Sequence, residues 1–319
     1  MQETGEKPMR YICGHPIILL AILAIVAGCA SQNTVWEENS AAGISAYSEG
    51  DYEETEAYFA AALEETERSG IVNERLATSL NNLATAYKAL GRYGGSEALF
   101  RRALAIRENL LGRDHPKVAS TLSSLGEIYR LLGRYDEAET ALLRALTIRE
   151  QTLGSDHPDV AVSLDKLTAL YKEQDRLADA LAAAQRVVVI RNSSLPPGDP
   201  LVATSLNDLA SLHRAMGRLP EAEAEYRKAL EIRVAALGPD HPDVAISLNY
   251  LAVMEHGRGR KMEAEALFAR ALDIQQRVLR DDHPDIALTL HNYAALLRDT
   301  DRAMDAKILE TRAAEIENR

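Results

Sequence analysis

Residues 238–252 read GPDHPDVAISLNYLA, and Asp240, His241 and Asp243 crowd round Pro242. A histidine between two carboxylates could supply metal ligands or an oriented general base. His115, His157 and His283 stand before Pro116, Pro158 and Pro284 in the same way. Other catalytic signatures are missing: there is no GxSxG, no HExxH and no P-loop, and Gly257-Arg258-Gly259 is only a fragment of a glycine-rich loop. The two cysteines, Cys13 and Cys29, both lie in the first 30 residues, so the rest of the chain has neither a disulfide framework nor a thiolate metal site.

The elements that position the histidines decide between these chemistries. Proline occurs at 116, 158, 200, 242 and 284, each step being 42 residues. His115, His157, His241 and His283 precede four of them, and Asp199 precedes the fifth. A Val-Ala or Ile-Ala pair follows each: Val118-Ala119, Val160-Ala161, Val202-Ala203, Val244-Ala245 and Ile286-Ala287. Within a unit the apolar spacing is helical, with Leu80, Leu83, Ala84 and Tyr87 at i, i+3, i+4 and i+7. Gly91 then stops the helix, and SEALFRRALAIRENLLG predicts a second one. Ala103, Ala145, Ala229 and Ala271 recur at one position of that second helix, where close approach demands a short side chain.

Proline suits the first helical turn, and a short polar residue before it can cap the orphan amides. DHPD therefore predicts a helix start. The four histidines, one helix pair apart, do not converge on one zinc. Neither metal nor cofactor is expected, and the chain is not expected to be an enzyme.

The units 79–112 and 240–279 resemble tetratricopeptide repeats of the 42-residue kinesin-light-chain type, against a usual unit of about 34 residues. The resemblance implies an all-α fold, a right-handed α-solenoid of about seven helix-turn-helix pairs, over residues 36–319. The approximate repeats are 36–70, 71–112, 113–154, 155–196, 197–238, 239–280 and 281–319. The first is degenerate: Tyr52, Phe59 and Ala62 align with Tyr93, Phe100 and Ala103. The last carries Glu310 where Phe100, Leu142, Tyr226 and Phe268 recur, which suits a terminal cap. NSSLPPGDP (192–200), after the β-branched VVVI (187–190), predicts a tighter break, with a hinge as its functional reading.

Residues 17–27, IILLAILAIVA, are too short to span a bilayer but suit the core of a signal peptide. The run ends in Val26-Ala27-Gly28-Cys29, which resembles a bacterial lipobox. That resemblance implies a signal peptide over 1–28, acylation of Cys29 and a short tether over 29–35. Ala30, rather than Asp, implies the outer membrane facing the periplasm instead of the inner membrane. An uncleaved anchor or a buried helix is the other reading of the same run.

The chain is 46% hydrophobic and 26% charged, as folded soluble proteins are, and its 5% aromatic content with abundant Ala and Leu favours helices. Its net charge of −12 disfavours nucleic acid as a partner. The tetratricopeptide resemblance places a peptide-binding groove on a face of the first helices: Thr78, Asn81, Thr85 and Lys88 in the first full unit. Down the array the Asn81 position becomes Ser123, Asp165, Asn207, Asn249 and His291, and Ser211 is a counterpart of Thr85. The Lys88 position becomes Arg130, Lys172, Arg214, His256 and Arg298, a basic row in an acidic protein. Carboxamides can pair with a ligand's backbone, and the basic row suggests an acidic peptide or a carboxylate terminus. The helix dipole and simple duplication account for the same row without a ligand. The reading is a non-enzymatic, membrane-tethered scaffold that binds a protein or peptide, or else a self-associating component of an envelope complex.

Overall fold

In the computed structural model, residues 35–318 are described, and all regular structure among them is helical. Cys29 and the whole 1–28 segment lie outside the described residues. No helix among the described residues is long and apolar enough to cross a membrane.

The chain divides into two compact units, Met1–Arg113 and Asp114–Arg319. The first holds α1 (35–49), α2 (Tyr52–Arg68), α3 (Glu74–Ala89) and α4 (Tyr93–Leu111). The second holds five pairs: α5 (Pro116–Leu131) with α6 (Tyr135–Leu153), α7 (Pro158–Glu173) with α8 (Leu177–Ser194), and α9 (Pro200–Ala215) with α10 (Leu219–Leu237). α11 (Pro242–Gly257) with α12 (Lys261–Val278) and α13 (Pro284–Arg298) with α14 (Ala303–Glu317) complete it. In this second unit the second helix of each pair also packs against the first helix of the next.

The expected packing stripe is the core. Leu80 and Ala84 are fully buried, and Leu83 nearly so. Ala103, Ala145, Ala229 and Ala271 are all fully buried, as close helix approach requires. In α8 the same position is Val187, also fully buried, and the position three residues earlier shrinks to Ala184. α6 has the reverse arrangement, Leu142 before Ala145, so bulk has moved by one helical turn rather than been added.

The turn inside each pair needs a left-handed residue. Gly133, Gly217 and Gly259 supply it in the second unit, while Asp175 and Asp301 adopt φ of 57° and 58° at the equivalent places.

The break after α8 is not tighter, as the sequence suggested, but one residue longer. It spans 195–199, against 154–157 after α6. After α6 and α10 the cap is glycine at positive φ, Gly154 and Gly238. Where Pro196 and Arg280 replace that glycine, the helix stops earlier and Leu195 or Leu279 turns extended. The VVVI run stays helical because Val187 and Ile190 are buried, which outweighs their weak propensity.

Candidate functional site: the first-helix face

The histidines are spent on helix starts. His115, His157, His241 and His283 are N-caps of α5, α7, α11 and α13. Each Nδ1 accepts from the backbone N–H two residues on, at 3.1–3.2 Å. Asp199 does the same for α9 through its carboxylate, at 2.8 Å. Asn73 occupies the equivalent place before α3 and accepts from the Leu76 N–H. An Nδ1 used this way carries a lone pair, not a proton. Among the described residues no cluster of three or more His, Cys, Asp or Glu gathers that could hold a metal.

In the second unit the first helices lie side by side, and α5 touches α7, α9 touches α11, and α11 touches α13. This placement packs away much of the row that begins at Asn81. Ser123, Asn207 and Asn249 are 3–5% exposed. Two of them meet the neighbouring first helix, Asn207 Nδ2 donating to Ser247 Oγ at 3.5 Å and Asn249 Oδ1 accepting from Asn292 Nδ2 at 3.2 Å, whereas Ser123 accepts from Arg149 of its own pair. Asp165 is half-buried, and His291, on the last pair, is exposed with Nε2 3.0 Å from Glu317 Oε1. In the first unit Asn81 and Lys88 are half-buried, and Thr85 donates back to the Asn81 carbonyl.

The open surface lies one residue further on. Ser124, Lys166, Asp208, Tyr250 and Asn292 form a row in which no member is buried. Sequence reasoning missed this row. Its signal was internal variability: serine, lysine, aspartate, tyrosine and asparagine share one register position, which a packed site would not tolerate.

The basic row is mostly neutralised within the chain. Arg130 pairs with Glu173, His256 Nε2 lies 2.8 Å from Asp299, and Arg298 lies 2.8 Å from Glu310. Lys172 and Arg214 are exposed on neighbouring helices. Lys172 reaches Ser211 Oγ at 3.5 Å, and Arg214 lies near Tyr226, whose hydroxyl pKa is pushed up to about 12 by burial against the pull of that cation. Beside Lys172 is a cleft of about 90 Å³ lined by Asp165, Thr168, Lys172, Val187, Ser205 and Asp208. Desolvation raises both carboxyls there; Arg191 opposes it at Asp165, and Lys172, Arg191 and Arg233 oppose it at Asp208.

Beneath this face runs a second feature that the sequence reading overlooked. Arg149, Arg191 and Arg233 recur at one position of the second helices, followed by Gln275. Arg149 is 7% exposed and Arg233 4%. Arg149 donates to Ser123 at 2.7 Å in its own pair and to Ser163 in the next. Arg191 binds Asp165 and donates to Ser205 at 2.6 Å. Arg233 donates to Thr204 at 3.0 Å, to Ser247 at 2.9 Å and to the Asp243 carbonyl at 3.1 Å. Burial lowers the guanidinium pKa of Arg149 and of Arg233 from its ordinary value, Asp159 and Asp243 respectively working against it. Arg233 Nε and Asn207 Oδ1 are buried without a hydrogen-bond partner. In the first unit Arg107 holds the same register position and meets Glu74 at 3.2 Å.

Comparisons agree with this architecture. The tetratricopeptide repeat model matches residues 38–109, 75–151, 117–193 and 249–318, and a second tetratricopeptide repeat model matches 202–243. The chain is similar to kinesin-light-chain-type, nearly identical TPR-like repeats from Podosopora anserina, at 26% identity over 65% of this chain and 98% of that one, with a TM-score of 0.58. A tetratricopeptide repeat protein from Parabacteroides merdae shares the fold at 15% identity, over 89% of this chain and 93% of that one, TM-score 0.60. Aspartyl phosphate phosphatase F from Bacillus subtilis does so at 13% identity, over 96% and 76%, TM-score 0.70. No curated protein matches the chain. Proteins built on these repeats mediate protein–protein interaction, and the fold is typically non-catalytic. With family matches over most of its described length, the chain belongs to the tetratricopeptide repeat family.

Proposed function

We propose that this protein is a non-enzymatic scaffold, tethered to the cell envelope through Cys29, that binds an extended peptide segment along the first-helix face of α7, α9 and α11. The supporting observation is the open row Lys166, Asp208 and Tyr250 beside the exposed cations Lys172 and Arg214. These side chains project from rigid helices that packing already fixes, so little ordering entropy opposes binding. Arg214 receives a ligand carboxylate, with Lys172 on the next helix shared between that ligand and Asp208, because Arg130, His256 and Arg298 already have acidic partners in the chain. Selection of a displayed peptide library on the full chain tests this reading. Acidic peptides should be enriched, and the Lys172→Glu, Arg214→Glu double variant should lose them. Equal enrichment by both chains would remove the groove from consideration.

A second reading is self-association through the outer helices, which Met262, Met304 and Ile308 favour. They are 89%, 77% and 65% exposed on α12 and α14, and the two methionines share a register position. Concentration-dependent oligomers that Met262→Glu and Met304→Glu abolish would support it.

A further inference from the structure

One inter-repeat turn is chemically unlike the others. At register position 72 the later turns place Asp114, Asp156, Gly198, Asp240 and Asp282, whereas this turn has Val72. One residue earlier Ile71 stands where the later turns carry Arg113, Ser155, Pro197, Pro239 and Asp281. Ile71 is 60% exposed and Val72 57%. The turn is held in shape from both sides. Ser69 Oγ accepts from the Ile71 N–H at 3.2 Å, Gly70 takes φ +66°, and Asn73 caps α3. The two apolar side chains are therefore held outward by a built turn.

The turn also lies where the described chain begins. Trp36 Nε1 donates to Ser79 Oγ at 2.7 Å, and the Arg75 guanidinium sits 4.6 Å over the Trp36 ring. Both contacts fall in the opening turns of α3, directly after Ile71 and Val72. Val35, the residue before Trp36, is 42% exposed. Residues 30–35 can reach at most about 20 Å even when fully extended. Whatever holds Cys29 is thus close to this end of the unit. Nearby basic residues are occupied, Arg68 by Glu64 and Glu65 and Arg75 by Trp36, while Glu37 and Glu38 are exposed. Such a tip suits an uncharged lipid surface better than an anionic one.

We propose that Val35, Ile71 and Val72 form a lipid-contacting tip that seats the first unit on a zwitterionic bilayer. The inference rests on the reading of Cys29 as the membrane anchor. A tether alone leaves the unit free to rotate, and a second apolar contact at the same end fixes which end faces the membrane. The side chains enter the headgroup–acyl boundary, and the lipid at Cys29 keeps them at high effective concentration there.

The full chain carrying Cys13→Ser and Ile71→Cys, labelled with an environment-sensitive fluorophore, would be reconstituted in phosphatidylcholine vesicles that contain brominated lipid. Glu53→Cys, at the opposite end of α2 and about 25 Å away by helical rise, is the control. Mass spectrometry of the mature N-terminus runs alongside. The expected result is quenching at position 71 and none at 53. A chain acylated at Cys29 and bound to vesicles, but unquenched at 71, overturns the tip and leaves the anchor intact. A chain that keeps residues 1–28 overturns acylation, and with Cys29→Ser added so that position 71 holds the sole thiol, quenching there on bound vesicles still supports the tip. A chain that does not bind vesicles overturns both.

Discussion

Arg233 Nη1 donates to Ser247 Oγ at 2.9 Å, so a buried guanidinium of one helix pair is held by a hydroxyl of the next. Leaving a charged donor unpaired in the interior costs far more than losing an exposed hydrogen bond. Ser247→Ala should destabilise the protein by about 1–3 kcal/mol. Ser120→Ala, at an exposed position of α5, should change little. Urea unfolding midpoints of the two variants, measured side by side, check this.

The cap position separates the two chemistries with which the sequence opened. His241→Ala removes the acceptor for the Asp243 N–H and should cost about 1 kcal/mol. His241→Asp should be close to neutral, because Asp199 already caps α9 in the same geometry. Faster amide exchange at Asp243 in the alanine variant alone would show that capping is what the ring provides.

Asp175 takes a left-handed conformation that Gly133 and Gly217 adopt without strain. Asp175→Gly should raise the melting temperature slightly, by the equivalent of about 0.5–1 kcal/mol, after the added unfolded-state entropy is set against the relieved strain. Gly133→Ala should lower it by at least as much. If Asp175→Gly melted below the parent, strain at this turn would be ruled out.

Asp208 links stability to pH. Asp208 is open to solvent on one side, but the cleft it lines with Asp165 partly desolvates it and raises its carboxyl above the ordinary value, which Lys172, Arg191 and Arg233 only oppose. The folded state then holds this proton more tightly than the unfolded state does. The resulting contribution is complete below the unfolded value and is lost as pH rises through the folded one. Asp208→Asn should accordingly match the parent near about pH 3 and exceed it in stability near about pH 7. An equal difference at both pH values would remove Asp208 as the source.

Much of the architecture was legible because packing repeats itself. Leu80, Leu83, Ala84 and the small residue at Ala103 face the same neighbours in each unit, so period and residue size recur together. The functional face was less legible for the opposite reason. Asn207 and Asn249 recur because a neighbouring first helix sits on them, and their repetition looked like shared function. Asp208 and Tyr250 differ because solvent is on them. The basic row was visible in the sequence, but its acidic partners were not. Glu173 lies 43 residues from Arg130, and only the stacking of helix pairs brings the two together. The arginine row had a clean period too, yet an arginine on a second helix reads as surface until its burial is known.

The arginine row also sets an order of disassembly. Arg149, Arg191 and Arg233 each fasten a pair to its successor, so peeling off any of those successors strands a cation at a newly opened joint. The joint before α13 is fastened differently: Gln275, which carries no charge, donates to the Asp285 carbonyl at 3.2 Å. Fraying of the second unit should therefore begin at α13 and α14, where it costs least, while the inner pairs come apart only as a cooperative block.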